Sequence, residues 1–325
     1  MSIVLDGQVV LVSGGTGSFG RTFIRTILKD KPRKVIVLSR DELKQFEMQS
    51  EIDDDRVVYF LGDVRDRDRL CLAFRGVDVV VHAAALKQVP ALEYNPQEAI
   101  KTNILGASNV IDAAIENGVK KIIALSSDKA VNPINLYGAT KLAMEKLFIA
   151  GNSYSGKKET RFSIVRYGNV AGSRGSVIPF FRKIAEQGKN IPITDIHMTR
   201  FWMTLDQSVK LVLDSLERMH GGEVFIPKIP SIRVVDLATA IAPGVGCDIV
   251  GIRPGEKLHE VLISESESHQ TQEYQSHYEI HPIYHSWFKG NGAKGKPVSE
   301  GFRYSSDTNK DFLTVEKLKE ELCRI

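Results

Sequence analysis

The sequence has little of what marks secreted, membrane-bound or nucleic-acid-binding proteins. Its 325 residues include 3 cysteines, Cys71, Cys247 and Cys323, which are scattered without metal-ligand spacing. A reduced, cytoplasmic protein without a metal site is therefore expected. The apolar runs are much shorter than a membrane span, and no basic segment followed by a cleavable apolar one opens the chain. The 43 basic and 40 acidic residues balance too closely to indicate a nucleic-acid partner.

The chain instead has the pattern of an α/β protein. Hydrophobic residues make up 42% and charged residues 26% of the sequence, which is ordinary for a globular protein with a large core. Six strands alternate with helical segments; they are predicted at 8–12, 34–38, 56–61, 77–82, 122–125 and 161–166. This alternation predicts a doubly wound parallel (Rossmann) sheet, with polar site groups at the carboxyl ends of its strands.

A glycine-rich loop follows the first strand and leads into a helix. Its glycines, Gly14, Gly17 and Gly20, have the spacing typical of short-chain dehydrogenases. Such a loop lets the backbone approach a pyrophosphate, and the helix N-terminus offers unpaired N–H groups to it. The loop therefore predicts a dinucleotide site, with a turn that merely needs glycine as the alternative. The candidate contacts are Gly14, Thr16, Gly17, Ser18, Phe19 and Gly20.

The end of the second strand predicts which dinucleotide is bound. NAD-specific proteins usually carry an acid there, which binds the ribose 2′-hydroxyl. This chain has Ser39 and Arg40 at that point, then Asp41, with Lys44 nearby. Because an arginine suits a 2′-phosphate, NADP is predicted over NAD. In the alternative, Arg40 is solvated and Asp41 binds the ribose.

A serine, a tyrosine and a lysine near the fifth strand indicate proton transfer. Ser127 ends that strand, and Tyr137 and Lys141 are four residues apart on a predicted helix, hence on one face. A nearby ammonium is expected to lower the phenol pKa, which suits a base acting on a substrate hydroxyl. This arrangement resembles the short-chain dehydrogenase/reductases. That resemblance implies further cofactor contacts from Asp63, Val64, Ala83, Ala84, Lys87 and Asn103, besides Tyr137 and Lys141.

The second half of the chain is less regular. Residues 193–195 and 198–203 are predicted to be short strands that pair, residues 205–219 a helix, and residues 223–226 a strand that returns to the main sheet. Residues 253–260 are predicted to lead into a helix. The polar part after Ser264 is predicted to be loop, followed by a helix near 314–322.

Motifs along most of the chain resemble the inverting UDP-N-acetylglucosamine 4,6-dehydratases, extended short-chain enzymes that open pseudaminic acid synthesis in bacteria. They include GGTGSFG, SSDKAVNP, LYGATK, RYGNV, MTRFWMT and GIRPGEKLHE. The resemblance implies that residues 1–170 form an NADP-binding Rossmann domain and that residues 171–325 form mainly a smaller α+β substrate-binding lobe. Segment 205–228 and parts of the tail are expected to return to the first domain.

The same resemblance implies catalytic roles. Tyr137, supported by Lys141 and Ser127, removes the proton of the sugar 4-hydroxyl. Lys129 removes the proton on carbon 5, and Asp128 helps water leave from carbon 6. The product is a 4-keto-6-deoxy sugar inverted at carbon 5. Dehydratases that retain carbon 5 typically carry an Asp-Glu pair in place of Asp128 and Lys129.

The implied substrate is UDP-N-acetylglucosamine, and the implied assembly is a homo-oligomer. The candidate substrate contacts are Lys87, Asn169, Val170, Ser173, Arg174, Val177, Thr194, Arg253 and Glu256. Arginine forks suit diphosphate oxygens, and carboxylates suit ribose hydroxyls. Two alternatives stay open: a 4-epimerase or retaining dehydratase of the same superfamily, and a protein that binds NADP without turnover.

Overall fold

A computed structural model of the chain describes residues 5–156, 158–173, 175–282 and 295–324. The strands are β1 (Val9–Ser13), β2 (Lys34–Ser39), β3 (Val57–Leu61), β4 (Val79–His82), β5 (Lys121–Ser127), β6 (Arg161–Tyr167), β7 (Asn169–Val170), β8 (Ile191–Ile193), β9 (Thr199–Met203), β10 (Val224–Pro227), β11 (Ser231–Arg233), β12 (Cys247–Ile249), β13 (Val261–Ile263), β14 (Thr271–Glu273), β15 (His277–Ile280), β16 (Lys296–Pro297) and β17 (Tyr304–Ser305).

The α-helices are α1 (Ser18–Ile27), α2 (Glu42–Glu51), α3 (Arg67–Ala73), α4 (Val89–Tyr94), α5 (Pro96–Ala99), α6 (Gly106–Asn117), α7 (Leu136–Tyr154), α8 (Val177–Glu186), α9 (Leu205–Arg218), α10 (Val234–Ile241) and α11 (Val315–Leu322). A π-helical turn, Ile100–Leu105, joins α5 to α6, and a 3₁₀ turn, Asp128–Ala130, follows β5. No helix within the described ranges is both long enough and apolar enough to cross a bilayer.

The main sheet has ten strands in the order β16-β14-β15-β10-β6-β5-β4-β1-β2-β3. The strands from β10 to β3 are parallel, whereas β14, β15 and β16 are antiparallel. The central strands read as continuous apolar runs because helices cover both faces, so alternate residues are equally buried. The strand order reverses between β1 and β4, the place where doubly wound sheets bind ligands. The six predicted parallel strands and the return of segment 223–226, as β10, are confirmed.

Three predictions for the second half are wrong. β8 pairs with β12, and β9 pairs with β11 and β7, so β8 and β9 do not pair with each other. Segment 253–260 leads into strand β13, which pairs with β17 from the tail. The polar stretch after Ser264 adds strands to the main sheet. Its buried polar side chains satisfy each other, as His277 and Glu279 do at 3.0 Å, while Tyr278 and Ile280 alternate with them and pack in the main core.

The helices of the second half follow their sequence signals. Thr204 and Gln207 form a reciprocal capping box at the start of α9, each side chain bonding the other residue's backbone. The predicted helices at 205–219 and near 314–322 are confirmed as α9 and α11. Two smaller apolar clusters, one around Trp202 and Leu318 and one around Ile191 and Phe181, pack beside the main core. The cavity described next lies between these clusters and the main sheet.

Candidate active site

A cavity of about 1350 Å³ opens along the carboxyl ends of the parallel strands. It is larger than the roughly 300–1,000 Å³ typical of a site for one small ligand, so it has room for two. Most of the predicted contacts line it; from the nucleotide half these are Gly14, Thr16, Gly17, Ser18, Phe19, Gly20, Ser39, Arg40, Asp41, Lys44, Asp63, Val64, Ala83, Ala84 and Lys87. In the described part of the chain, no three His, Cys, Asp or Glu residues come together as metal ligands.

The glycine loop requires glycine at two positions for different reasons. Gly14 has a φ of 69°, and a Cβ there would lie 2.8 Å from the backbone nitrogen of Ala84. A Cβ at Gly20 would lie 2.4 Å from the Gly15 carbonyl oxygen. The loop therefore packs backbone against backbone between β1 and the segment after β4. Because Gly17 is the N-cap of α1, it contributes no side-chain cap to the first turn, which faces the cavity.

The acid after the second strand is already engaged. Asp41 caps α2, where its carboxylate accepts the Lys44 backbone N–H at 3.0 Å and pairs with the Lys44 ammonium. The hydrogen bond from Lys44 holds the pKa of Asp41 below its usual value. Arg40 lies at the cavity rim with half of its side chain exposed, 3.8 Å from Asp63. Of the charged groups here, Arg40 is therefore best placed to meet a ligand phosphate.

Asn103, one of the predicted cofactor contacts, joins two segments of the chain in this structure. It lies in the π-helical turn, and its amide exchanges hydrogen bonds of 2.8 and 2.9 Å with the backbone of Leu86. A third bond of 3.0 Å reaches the hydroxyl of Thr140, the neighbour of Lys141. Asn103 thus ties the segment after β4 to α7, and it lies outside the cavity wall.

The end of β5 carries a buried charged group. Lys129 extends its ammonium into the cavity wall, 3.1 Å from Asp128 Oδ1. Asp128 is fully buried behind Lys129, and its Oδ1 also accepts the Ser127 hydroxyl at 2.7 Å. Glu260, a residue distant in sequence, brings its Oε1 to 3.2 Å from the same ammonium. One lysine therefore serves two carboxyls that are both removed from water.

The two carboxyls respond oppositely to this environment. Burial and the charge of Glu260 raise the pKa of Asp128 above its usual value. Burial also acts on Glu260, but Lys129 and Arg200 outweigh it and lower the pKa of Glu260. Burial disfavours the charged form of Lys129, yet the two carboxyls raise its pKa overall. At rest the lysine is an ammonium, Glu260 is ionised, and Asp128 is the carboxyl that most readily takes a proton.

The phenol of Tyr137 differs from the prediction. Helix α7 starts at the Asn135 cap, which accepts the Gly138 N–H at 2.8 Å, and it buries both Tyr137 and Lys141. Burial raises the pKa of Tyr137, and Lys129 opposes that rise. The Lys141 ammonium instead donates to the Leu125 carbonyl at 2.7 Å, and burial lowers its pKa to about 8. The predicted lowering of the phenol pKa is therefore wrong in this structure, because desolvation dominates.

The rest of the cavity wall collects most of the predicted substrate contacts, which come from both parts of the chain. The residues that line it are Lys87, Asn169, Val170, Ser173, Val177, Thr194, Arg253 and Glu256. Arg174 lies outside the described residues. Glu256 is oriented by the Thr194 hydroxyl at 3.1 Å and by Arg200 at 3.7 Å, so its carboxylate is held at the wall.

Sequence reasoning missed Arg200 and Glu260. Arg200 lies in β9 among buried apolar residues, and a charge within such a strand is a signal that could have found it. Glu260 directly precedes the apolar strand β13 and is 2% exposed. Nothing in the local pattern distinguishes it from an ordinary surface glutamate, because its partner is 131 positions away.

Known proteins resemble this chain along most of its length. Residues 10–282 match the family model described as polysaccharide biosynthesis protein. A UDP-N-acetylglucosamine 4,6-dehydratase (inverting) of Campylobacter jejuni is 57% identical over 97% of both chains. A UDP-glucose 4-epimerase of Rickettsia akari is 43% identical over 84% of this chain and 82% of its own. The X-ray structure of Pen from Bacillus thuringiensis, 37% identical, superposes with a TM-score of 0.90 over 99% of this chain and 100% of that one.

Proposed function

This chain belongs to the polysaccharide biosynthesis protein family, together with the inverting UDP-N-acetylglucosamine 4,6-dehydratases, and we propose that it catalyses their reaction. Its substrate is UDP-N-acetylglucosamine, and its product is the 4-keto-6-deoxy sugar nucleotide inverted at carbon 5. The reaction removes one water and consumes no external oxidant. We place it at the first step of pseudaminic acid synthesis, as the sequence resemblance implies.

A nicotinamide dinucleotide, when bound, accepts a hydride from carbon 4 and returns it to carbon 6. The site fits such a group, because the glycine loop excludes a Cβ at Gly14 and Gly20 and turns the start of α1 toward the cavity. We propose NADP over NAD. The Asp41 carboxylate is already occupied by Lys44, whereas Arg40 is half-exposed at the rim. A 2′-phosphate would meet a cation there.

The chain's own groups divide the proton transfers between them. Tyr137, in its phenolate form, accepts the 4-hydroxyl proton while Ser127 orients that hydroxyl. Lys129 takes the proton from carbon 5, and Asp128 protonates the oxygen that leaves carbon 6 as water. Carbon 5 is then reprotonated from the opposite face. Residues 1–170 supply the cofactor site and the proton-transfer groups, and the second half of the chain supplies Arg253 and Glu256 to the nucleotide of the substrate.

The observation that carries this proposal is the 3.1 Å contact between Lys129 and Asp128. A resting ammonium cannot act as a base. One proton passed from Lys129 to Asp128 leaves a neutral amine beside a carboxylic acid, which are the base and the acid that elimination needs. The raised pKa of Asp128 favours that transfer, and the raised pKa of Lys129 opposes it. A 4-epimerase leaves carbons 5 and 6 untouched and has no use for such a pair.

Incubation with UDP-N-acetylglucosamine in deuterated water tests the proposal. Loss of one water with a deuterium at carbon 5 and the inverted configuration is the expected result. A product of unchanged mass with the galacto configuration would identify an epimerase, and a retained carbon 5 would identify a retaining dehydratase. Cofactor binding without any turnover would contradict an enzymatic role altogether.

A further inference from the structure

Glu260 is the one member of the buried charged group that comes from the second half of the chain. Its Oε1 lies 3.2 Å from the Lys129 ammonium and 3.7 Å from Arg200 Nε. Its Oε2 is buried and has no hydrogen-bond partner among the described residues. A buried carboxylate with one unsatisfied oxygen is costly to remove from water, even beside two cations. Packing therefore does not account for a carboxylate at this buried position, because its desolvation costs free energy.

The backbone around Glu260 is held by the tail of the chain. The Glu260 N–H donates to the Ser306 hydroxyl at 2.9 Å, and the Ser306 N–H donates to the Glu260 carbonyl at 2.8 Å. Ser305 adds a bond of 3.3 Å to that same carbonyl. These bonds continue the pairing of β13 with β17. The carboxylate is thus presented to Lys129 by a rigid backbone and not by a flexible loop.

Arg200 distinguishes the two carboxyls around Lys129. It flanks Glu260 at 3.7 Å, and the structure gives no corresponding contact between Arg200 and Asp128. Two ionised carboxyls next to one ammonium repel each other, and removal from water strengthens that repulsion. Because the second cation is beside Glu260, Glu260 keeps its charge and Asp128 is the site where a proton is best tolerated.

We propose that Glu260 is a positioning residue for the elimination step, whose fixed negative charge stabilises both the proton that Lys129 takes from carbon 5 and the proton that Asp128 carries. This rests on the proposed dehydratase function. In the step, the proton on carbon 5 passes to the Lys129 amine and the bond's electrons form the double bond to carbon 6. The carbon 6 hydroxyl leaves with the proton of Asp128 as water. Glu260 gains and loses no proton, and its charge stabilises the ammonium that forms.

The proposal predicts a characteristic pH dependence. Removing a negative charge 3.2 Å from Lys129 weakens proton binding by both Lys129 and Asp128, so both groups lose their protons at lower pH. The pH profile of elimination should then move as a whole to lower pH, which a loss of packing would not cause. The other groups that act on this set are Arg200 on β9, Lys257 before β13, Lys87 after β4 and Tyr137 on α7.

The test is Glu260→Gln, measured in the full chain with its cofactor. We expect hydride transfer at carbon 4 to be retained and water loss to fall by about a hundredfold. The elimination profile should move about one unit to lower pH. Glu260→Asp keeps the charge, so its profile should stay at the wild-type position even if its rate falls. An unmoved profile in Glu260→Gln would overturn the proposal.

Two further variants make the result decisive. Glu223→Gln removes another buried carboxylate, at the amino end of β10, where it accepts the Ser163 hydroxyl at 2.6 Å. It should lower stability and leave the elimination profile in place. Should Glu260→Gln fail to fold, Arg200→Gln removes a positive charge, and the profile must then move to higher pH for the proposal to stand. Absence of water loss in the wild type would instead contradict the proposed function.

Discussion

The two ends of the cavity use similar charged residues in different ways. At the cofactor end, Arg40 and Lys44 pair with Asp63 and Asp41 while about half of each basic side chain stays exposed. At the sugar end, the Lys129 side chain is 24% exposed and the two carboxyls beside it are at most 3% exposed. Exposed pairs contribute about 0–1 kcal/mol, and water screens them. Burial instead shifts the pKa values of the same kinds of charged groups, and shifted pKa values are typical of catalytic acids and bases.

The two ends also differ in how the chain assembles them. The glycine loop is one segment of seven residues, and its backbone forms the predicted dinucleotide site. The charged group brings Asp128 and Lys129, in the turn after β5, into contact with Glu260, which lies 131 positions further along the chain. Cofactor binding is therefore a local property of the sequence, and proton transfer is a property of the folded chain.

The largest expected effect comes from Lys129→Ala. It should lower dehydration by about a thousandfold or more, because it removes the base at carbon 5. It should also destabilise the fold by about 3–5 kcal/mol, because Asp128 and Glu260 lose their buried partner. Cofactor affinity should be unchanged. Turnover assays, thermal unfolding and cofactor titration measure the three quantities.

An exposed lysine provides the matched control. Lys120 pairs with Asp78 at 3.3 Å and has 68% of its side chain exposed. Lys120→Ala should change stability by less than about 1 kcal/mol and leave turnover unaffected. Normal turnover in Lys129→Ala would remove that residue from the mechanism and, with it, the contrast between buried and exposed pairs.

Tyr137→Phe should separate the two chemistries at the sugar end. Oxidation at carbon 4 should fall by about 10²–10⁴-fold, since the proton acceptor is gone. When the 4-keto product is supplied in deuterated water, exchange at carbon 5 should continue, because Lys129 and Asp128 are intact. Mass spectrometry follows the exchange, and Lys129→Ala should reduce it to the rate of buffer alone. Exchange at the buffer rate in both variants would mean that Tyr137 also acts at carbon 5.

Arg40→Ala tests the cofactor end. The variant should weaken NADP binding by roughly tenfold or more, the value of a hydrogen bond to a charged group, and NAD binding by much less. Titration of both dinucleotides measures the difference. Arg67→Ala, which removes a surface arginine paired with Glu116 on the neighbouring α6, should affect neither. Equal losses for the two dinucleotides in Arg40→Ala would refute the preference for NADP.

The smallest expected effect is a pH dependence of cofactor binding. The pKa of Lys141 is lowered to about 8 by burial, so its charge is present below that pH and lost above it. Affinity for the anionic cofactor should fall about fivefold as the pH rises through this value, the difference between a charged and a neutral hydrogen bond. Lys141→Arg keeps its charge and should flatten the profile. A flat wild-type profile would show that Lys141 contributes no charge to binding.

The outcomes of the sequence predictions follow the same division. The six parallel strands, the glycine loop and helices α9 and α11 lie where local patterns indicate them. Strands β14 and β15, after Ser264, were missed because they are only three and four residues long and because they bury polar groups, such as His277 and Glu279, against each other. The phenol pKa of Tyr137 was predicted in the wrong direction because the spacing to Lys141 says nothing about desolvation.

The order of residues alone determined the fold class, the dinucleotide loop and the family, since these depend on periodicity, glycine spacing and contiguous motifs. Only the tertiary structure decided which carboxyl is more easily protonated. That choice depends on the distances from Asp128 and Glu260 to Lys129 and Arg200, and on the removal of the two carboxyls from water. Electrostatic energy varies with the distance between the charges and with the local dielectric constant. The sequence gives neither quantity for residues as far apart in the chain as 129 and 260.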